Sequence, residues 1–328
     1  MIALRTACGM LALSLFSACS STPPGELTKK QKLDFYMENA GRYYELGEVN
    51  RCLDQVTRGL EIDPDNERFL LMKGRCHQIR GTSDDIAIAE TLFREHPAQD
   101  DYRIQLGLAG ALERKGVLFD VSGREIRSGD RYTPAKDPEA RADDLAERAI
   151  EAWEESAEHY ALAAEYYSGG FEALNGQMRV TRFLGQNDLA LEHARALIES
   201  IRTSNRLFRT QEEEQEAKGE STVDTRRTLL DNQELEVWIR LEIAEILKSQ
   251  GRDQEALEEL DIAYGLEPDI KDLHSRRGQL LFEMGRYERA KSALERFLKL
   301  SEDPFDHPDI QRTYELIHQC DVALAEGQ

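Results

Sequence analysis

The chain has 328 residues and a net charge of −21, with 32% charged, 7% aromatic and 40% hydrophobic residues. Such acidity argues against nucleic acid or an anionic membrane surface as the main partner, and the apolar fraction is enough for a packed chain. Five cysteines occur with no CxxC pair and no CxxC…HxxxH spacing, which argues against a structural zinc site.

The N-terminus comes first in chain order. Met1 to Ser17 carries one charge, Arg5, followed by an apolar stretch from Ala7 to Phe16. Ten residues cannot span a bilayer core of about 30 Å as a helix, so the segment reads as a signal peptide. It ends in Phe16-Ser17-Ala18-Cys19. These four residues resemble the bacterial lipobox, departing from it at Phe16, where leucine is usual. The resemblance implies that residues 1–18 are removed and that Cys19 receives lipid. Ser20 after the cysteine then implies an outer-membrane site on the periplasmic face, with the inner membrane or cell surface as alternatives. Losing Arg5 takes the mature net charge from −21 to −22. Residues 19–27 are small and Pro-rich and read as a lipidated tether; nine extended steps from Cys19 to Thr28 reach about 30 Å. No segment after Cys19 is apolar enough to cross a membrane.

Helices are expected from Thr28, where Thr28-Lys29-Lys30-Gln31 fits a capping box. A rhythm of 34 residues follows. It is clearest in Gly251/Gly285, Ala256/Ala290, Leu260/Leu294, Ala244/Gly278 and Leu247/Leu281. A fixed period of this length means stacked supersecondary units. Small residues suit close helix crossings, Gly47, Gly251 and Gly285 suit helix-to-helix turns, and Pro64, Pro97 and Pro268 stop second helices. The pattern resembles the tetratricopeptide repeat (TPR), well over 33–66 and 237–304, fairly over 67–99 and weakly between. The resemblance implies an all-α, right-handed superhelical solenoid of five to six hairpins over residues 28–328. Two stretches break the pattern. Residues 117–137 read as an insertion with a short β-hairpin across Ser122-Gly123. Residues 201–233 are polar and read as an extended helix or a second insertion. Residues 306–326 read as a capping helix.

No GxSxG, P-loop, GxGxxG or HExxH motif occurs. The run from Asp303 to Asp309, with His307, reads as a solvated connection rather than a metal site. The adjacent carboxylates Glu154 and Glu155 do not face the same way on a helix, so they are not an acid/base pair. No catalysis, cofactor, metal or small-molecule substrate is expected. In TPR proteins the first helix of each hairpin lines the concave surface at repeat positions 2, 5, 9 and 12. Carried over, these are Asp34, Met37, Gly41 and Tyr44; Arg68, Leu71, Arg75 and Gln78; Trp238, Leu241, Glu245 and Lys248; and Asp272, Ser275, Gln279 and Phe282. The weaker fourth repeat offers Arg179 and Arg182. The candidate partner-binding residues are therefore Tyr44, Arg75, Gln78, Arg179, Arg182, Trp238, Lys248 and Gln279. They do not reproduce the Lys/Asn/Arg clamp that some TPR domains use for a C-terminal carboxylate. The expected role is an envelope-anchored, non-enzymatic scaffold or assembly factor holding one or more proteins. The alternative is an accessory subunit of an envelope enzyme or polysaccharide-synthesis system acting through the insertions. Cys52 and Cys76 are a candidate disulfide: a hairpin folded at Pro64, their midpoint, sets them at matching heights.

Overall fold

The computed structural model describes residues 27–167 and 170–327. The signal peptide, Cys19 and nearly all of the tether lie outside them. The described residues form thirteen α-helices and no strand, in two compact units that divide at Gln99.

The first unit contains α1 (Lys29–Glu45), α2 (Val49–Ile62), α3 (Glu67–Arg80) and α4 (Ser83–Arg94). Helix α1 starts where the sequence places it. The Thr28 side chain accepts from the Gln31 N–H at 3.3 Å, and the Thr28 N–H donates back to the Gln31 side chain at 3.0 Å. Between α1 and α2 the chain turns through Gly47 at φ +70°, where a residue with a Cβ is strained. Gly185, Gly251 and Gly285 occupy the same turn at φ +71° to +72°, which explains their spacing. The core joins Ala40, Cys52, Val56, Phe69 and Cys76, with Tyr36, Tyr43 and Leu60 packed around them. Its helix crossings are close. A Cβ on Gly74 would lie 2.6 Å from the Phe93 ring, so α3 and α4 approach only because residue 74 has none.

The second unit contains α5 (Tyr102–Ser128), α6 (Pro138–Tyr166), α7 (Phe171–Phe183), α8 (Asn187–Lys218), α9 (Val223–Ser249), α10 (Asp253–Leu266), α11 (Lys271–Glu283), α12 (Tyr287–Leu300) and α13 (Pro308–Ala325). Sequential helices pack as hairpins α5/α6, α7/α8, α9/α10 and α11/α12, and α13 packs on α12 as the closing helix. One continuous core runs from Met178 through Leu197, Leu241 and Leu260 to Leu281 and Cys320.

The β-hairpin expected across Ser122-Gly123 is helix instead. Helix α5 runs through both residues to Ser128 and turns at Gly129, φ +84°. Gly123 is not a turn residue but a close-approach residue: a Cβ there would lie 3.1 Å from the Ala142 carbonyl of α6. Phe119 packs on Ile126, Ala142 and Leu145, and the Arg148 guanidinium lies 4.3 Å from the Phe119 ring centre. Residues 201–233 take the extended-helix form of the two alternatives. Their polar side chains satisfy one another across the α8/α9 pair. Arg226 reaches Glu212 and Glu216, Thr225 donates to Gln215 at 2.8 Å, and Asn232 donates to Asn205 at 2.7 Å. Both irregular stretches are thus largely extensions of hairpin helices. The acidic run before α13 is also structural. Asp303 pairs with Lys271 at 2.9 Å, and His307 caps α13 by accepting from the Asp309 N–H.

Candidate protein-binding face

In the first unit the face belongs to α1 and α3. Tyr44 and Met37 on α1 are half-buried and lean on the core, while Gly41 leaves open space. On α3, Arg68 and Arg75 lie seven residues apart, about two turns, and therefore share a face. Neither makes an ion pair with the described residues. Gln78 and Leu71 are half-buried on the same side.

In the second unit the corresponding layer is α7, α9 and α11. Here several sequence-predicted residues hold the layer together. Arg179 forks onto Glu113 of α5 at 2.6 and 2.8 Å, and the Tyr160 hydroxyl donates to the same carboxylate at 2.6 Å. Burial works against the Arg179 charge, but its hydrogen bonds to Glu113 outweigh this and leave its pKa raised. Burial pushes the Tyr160 phenol well above the ordinary tyrosine range, and the neighbouring Glu113 charge adds to the shift. Arg182 of α7 pairs with Glu242 of α9. Arg276 of α11 lies 3.5 Å from the same carboxylate and 3.6 Å from Glu245. Lys248 of α9 reaches Glu283 at the end of α11, 2.8 Å away. Charged groups therefore tie three successive first helices side to side.

Leu241 is fully buried and joins the core. Gln279 is half-buried and donates to Ser275 at 3.1 Å. Phe282 is half-buried edge-on to Tyr287, ring centres 5.6 Å apart. Trp238 differs from all of these: its large apolar side chain is 39% exposed. Burying it against another surface would gain apolar area without breaking an ion pair.

The bracing partners Glu113, Glu242, Arg276 and Glu283 were not among the sequence-predicted residues. One signal for them existed. Arg276 follows Glu242 by one 34-residue repeat, so opposite charges stand at equivalent positions of adjacent units. Among the described residues no group of three or more His, Cys, Asp or Glu side chains is arranged to hold a metal ion, and no helix is long and apolar enough to cross a membrane.

Residues 272–304 match the tetratricopeptide repeat family. This segment carries one such repeat. The matched segment covers α11 and α12, the hairpin in which the turn glycine, Gly278 and Leu294 stand at their expected places. A Cβ on Gly278 would lie 2.6 Å from the Leu294 side chain. The fold is shared with two solved structures. Pseudomonas aeruginosa pilF superposes with a TM-score of 0.52 at 12% identity, covering 88% of this chain and 98% of its own. PilW, a widely conserved type IV pilus biogenesis factor, gives 0.52 at 14% identity, covering 87% and 99%. No curated protein sequence matches the chain.

Proposed function

We propose that the protein is an envelope-anchored TPR scaffold that binds a protein partner on the first-helix face and catalyses nothing itself. The observation that carries the binding reading is Trp238. It is a large aromatic residue exposed on a layer whose charged neighbours are already braced, the setting in which an aromatic residue becomes a hot spot. Gln279 and Phe282 on α11 extend the surface, and the α1/α3 face, with Tyr44, Arg75 and Gln78, offers a second contact area. PilW, with a similar fold, is a type IV pilus biogenesis factor.

Anchoring rests on the sequence ending in Cys19. Lipid chains on that cysteine hold the protein to a membrane, each buried CH₂ contributing about 0.8 kcal/mol. Cys19→Ala should move the protein from the membrane fraction to the soluble fraction or leave the signal peptide uncleaved. An unchanged membrane fraction, with no lipid label on the wild type, overturns the anchor.

For binding, a photo-crosslinking residue at position 238 should capture one specific protein in native envelopes. The same residue at position 262, on exposed Ile262 of α10, should not. Trp238→Ala should weaken that partner about tenfold or more while the helical signal in circular dichroism stays unchanged. Equal capture from both positions, or full affinity in Trp238→Ala, would sink the assignment of this face.

A further inference from the structure

Cys52 on α2 and Cys76 on α3 are both fully buried, in one core cluster. The two helices are antiparallel neighbours joined through Pro64, and a contact on their facing sides fixes the register. Phe69 of α3 covers Gly59 of α2 so closely that a Cβ on residue 59 would lie 2.4 Å from its ring carbons. Positions 59 and 69 are symmetric about residue 64, and so are 52 and 76. Each cysteine stands seven residues further out on its helix, about two turns, and so on the same face as the contact below it. Height and azimuth therefore agree. The structure holds the two residues as separate buried thiols. Cys320, in the other unit, is free and buried.

We propose that Cys52 and Cys76 form a disulfide that staples the first repeat to the second, made by exchange with glutathione disulfide or an oxidised dithiol protein. The Cys52 thiolate attacks one sulfur of the donor disulfide and releases one donor thiolate, leaving a mixed disulfide. The Cys76 thiolate then attacks the Cys52 sulfur and releases the second. Two protein thiols become one disulfide, the donor disulfide becomes two thiols, and the two protons pass to the donor sulfurs. Burial of both sulfurs places the exchange at the stage when the hairpin closes. The bond is independent of the binding face, since neither sulfur reaches it. The loop closed is about two dozen residues, long enough for the cross-link to restrict the unfolded chain.

The test refolds the full chain in a mixed glutathione buffer, quenches with acid and alkylates. Unreduced tryptic digestion should give peptide 52–58 linked to peptide 76–80, with Cys320 alkylated. Reductant should then lower the melting temperature by about 5 °C or more, and should not do so in the Cys52→Ala/Cys76→Ala double variant. Alkylation of both Cys52 and Cys76, a linkage through Cys320, or a melting temperature that reductant leaves in place would each overturn the proposal. The peptide map uses wild-type protein, so it decides the matter even if the variant folds poorly.

Discussion

Arg240→Ala is expected to destabilise the protein by about 3–5 kcal/mol, the range for stripping one partner from a buried ion pair. Arg240 is 4% exposed and Glu236 6%. They meet at 2.6 Å one turn apart on α9, and Arg240 also reaches Glu259 of α10. Coulomb attraction alone does not set the size of the effect. A paired buried carboxylate has already lost its hydration, so removing the guanidinium leaves Glu236 unsolvated and largely unpaired. Arg202 of α8 lies 3.3 Å from Glu236 but is half-exposed and offers one weak contact, which places the expected loss at the lower end. A second variant separates this account from simple loss of packing. Replacing both partners by apolar residues, Arg240→Met with Glu236→Leu, should recover most of the loss, because no buried charge remains. Both tryptophans, Trp153 and Trp238, lie in the same unit as Arg240, so fluorescence-monitored urea unfolding reads its transition directly. A loss under about 1 kcal/mol for Arg240→Ala would show that the pair is hydrated in solution.

The repeat boundaries were legible in the sequence because one physical requirement recurs at each of them. A short turn between antiparallel helices needs a positive φ, and Gly47, Gly251 and Gly285 meet it. The capping box at Thr28 was legible for the same kind of reason, a local bond between residues three apart. Residues 117–128 were misread because glycine serves two ends. Gly123 sits in a polar, turn-like stretch, yet its use is to let α6 approach, which only the partner helix reveals. The first-helix layer was legible as a set of positions, but the ion pairs within it were not. Arg182 and Lys248, at two of the positions carried over as partner contacts, pair with Glu242 and Glu283 of neighbouring helices. Arg276 was recoverable, since its acidic partner Glu242 lies one period upstream. The Glu113–Arg179 pair was not: it is 66 residues apart across the lengthened α5/α6 hairpin, outside any fixed spacing. The matching heights of Cys52 and Cys76 followed from the fold point alone, because a hairpin pairs positions by their distance from the turn.

Phe69→Ala is expected to lower stability by about 3–5 kcal/mol, and its coupling to Gly59 tests why. Phe69 is 1% exposed and fills the space above Gly59, so its loss removes a large buried ring and opens a cavity between α2 and α3. Gly59→Ala in the wild type should also destabilise, by about 1–3 kcal/mol, because its methyl would enter the ring and α2 must shift. The two effects share one volume, so they should not add. With Phe69 removed, the methyl at position 59 has room and partly fills the cavity, and alanine is the better helix former by about 1 kcal/mol. Gly59→Ala should therefore become neutral or stabilising in the Phe69→Ala background. Urea unfolding of the four proteins, followed by circular dichroism, closes the cycle. If Gly59→Ala destabilises equally in both backgrounds, the ring does not set the approach of α2 and α3, and the register that brings Cys52 to Cys76 loses its support.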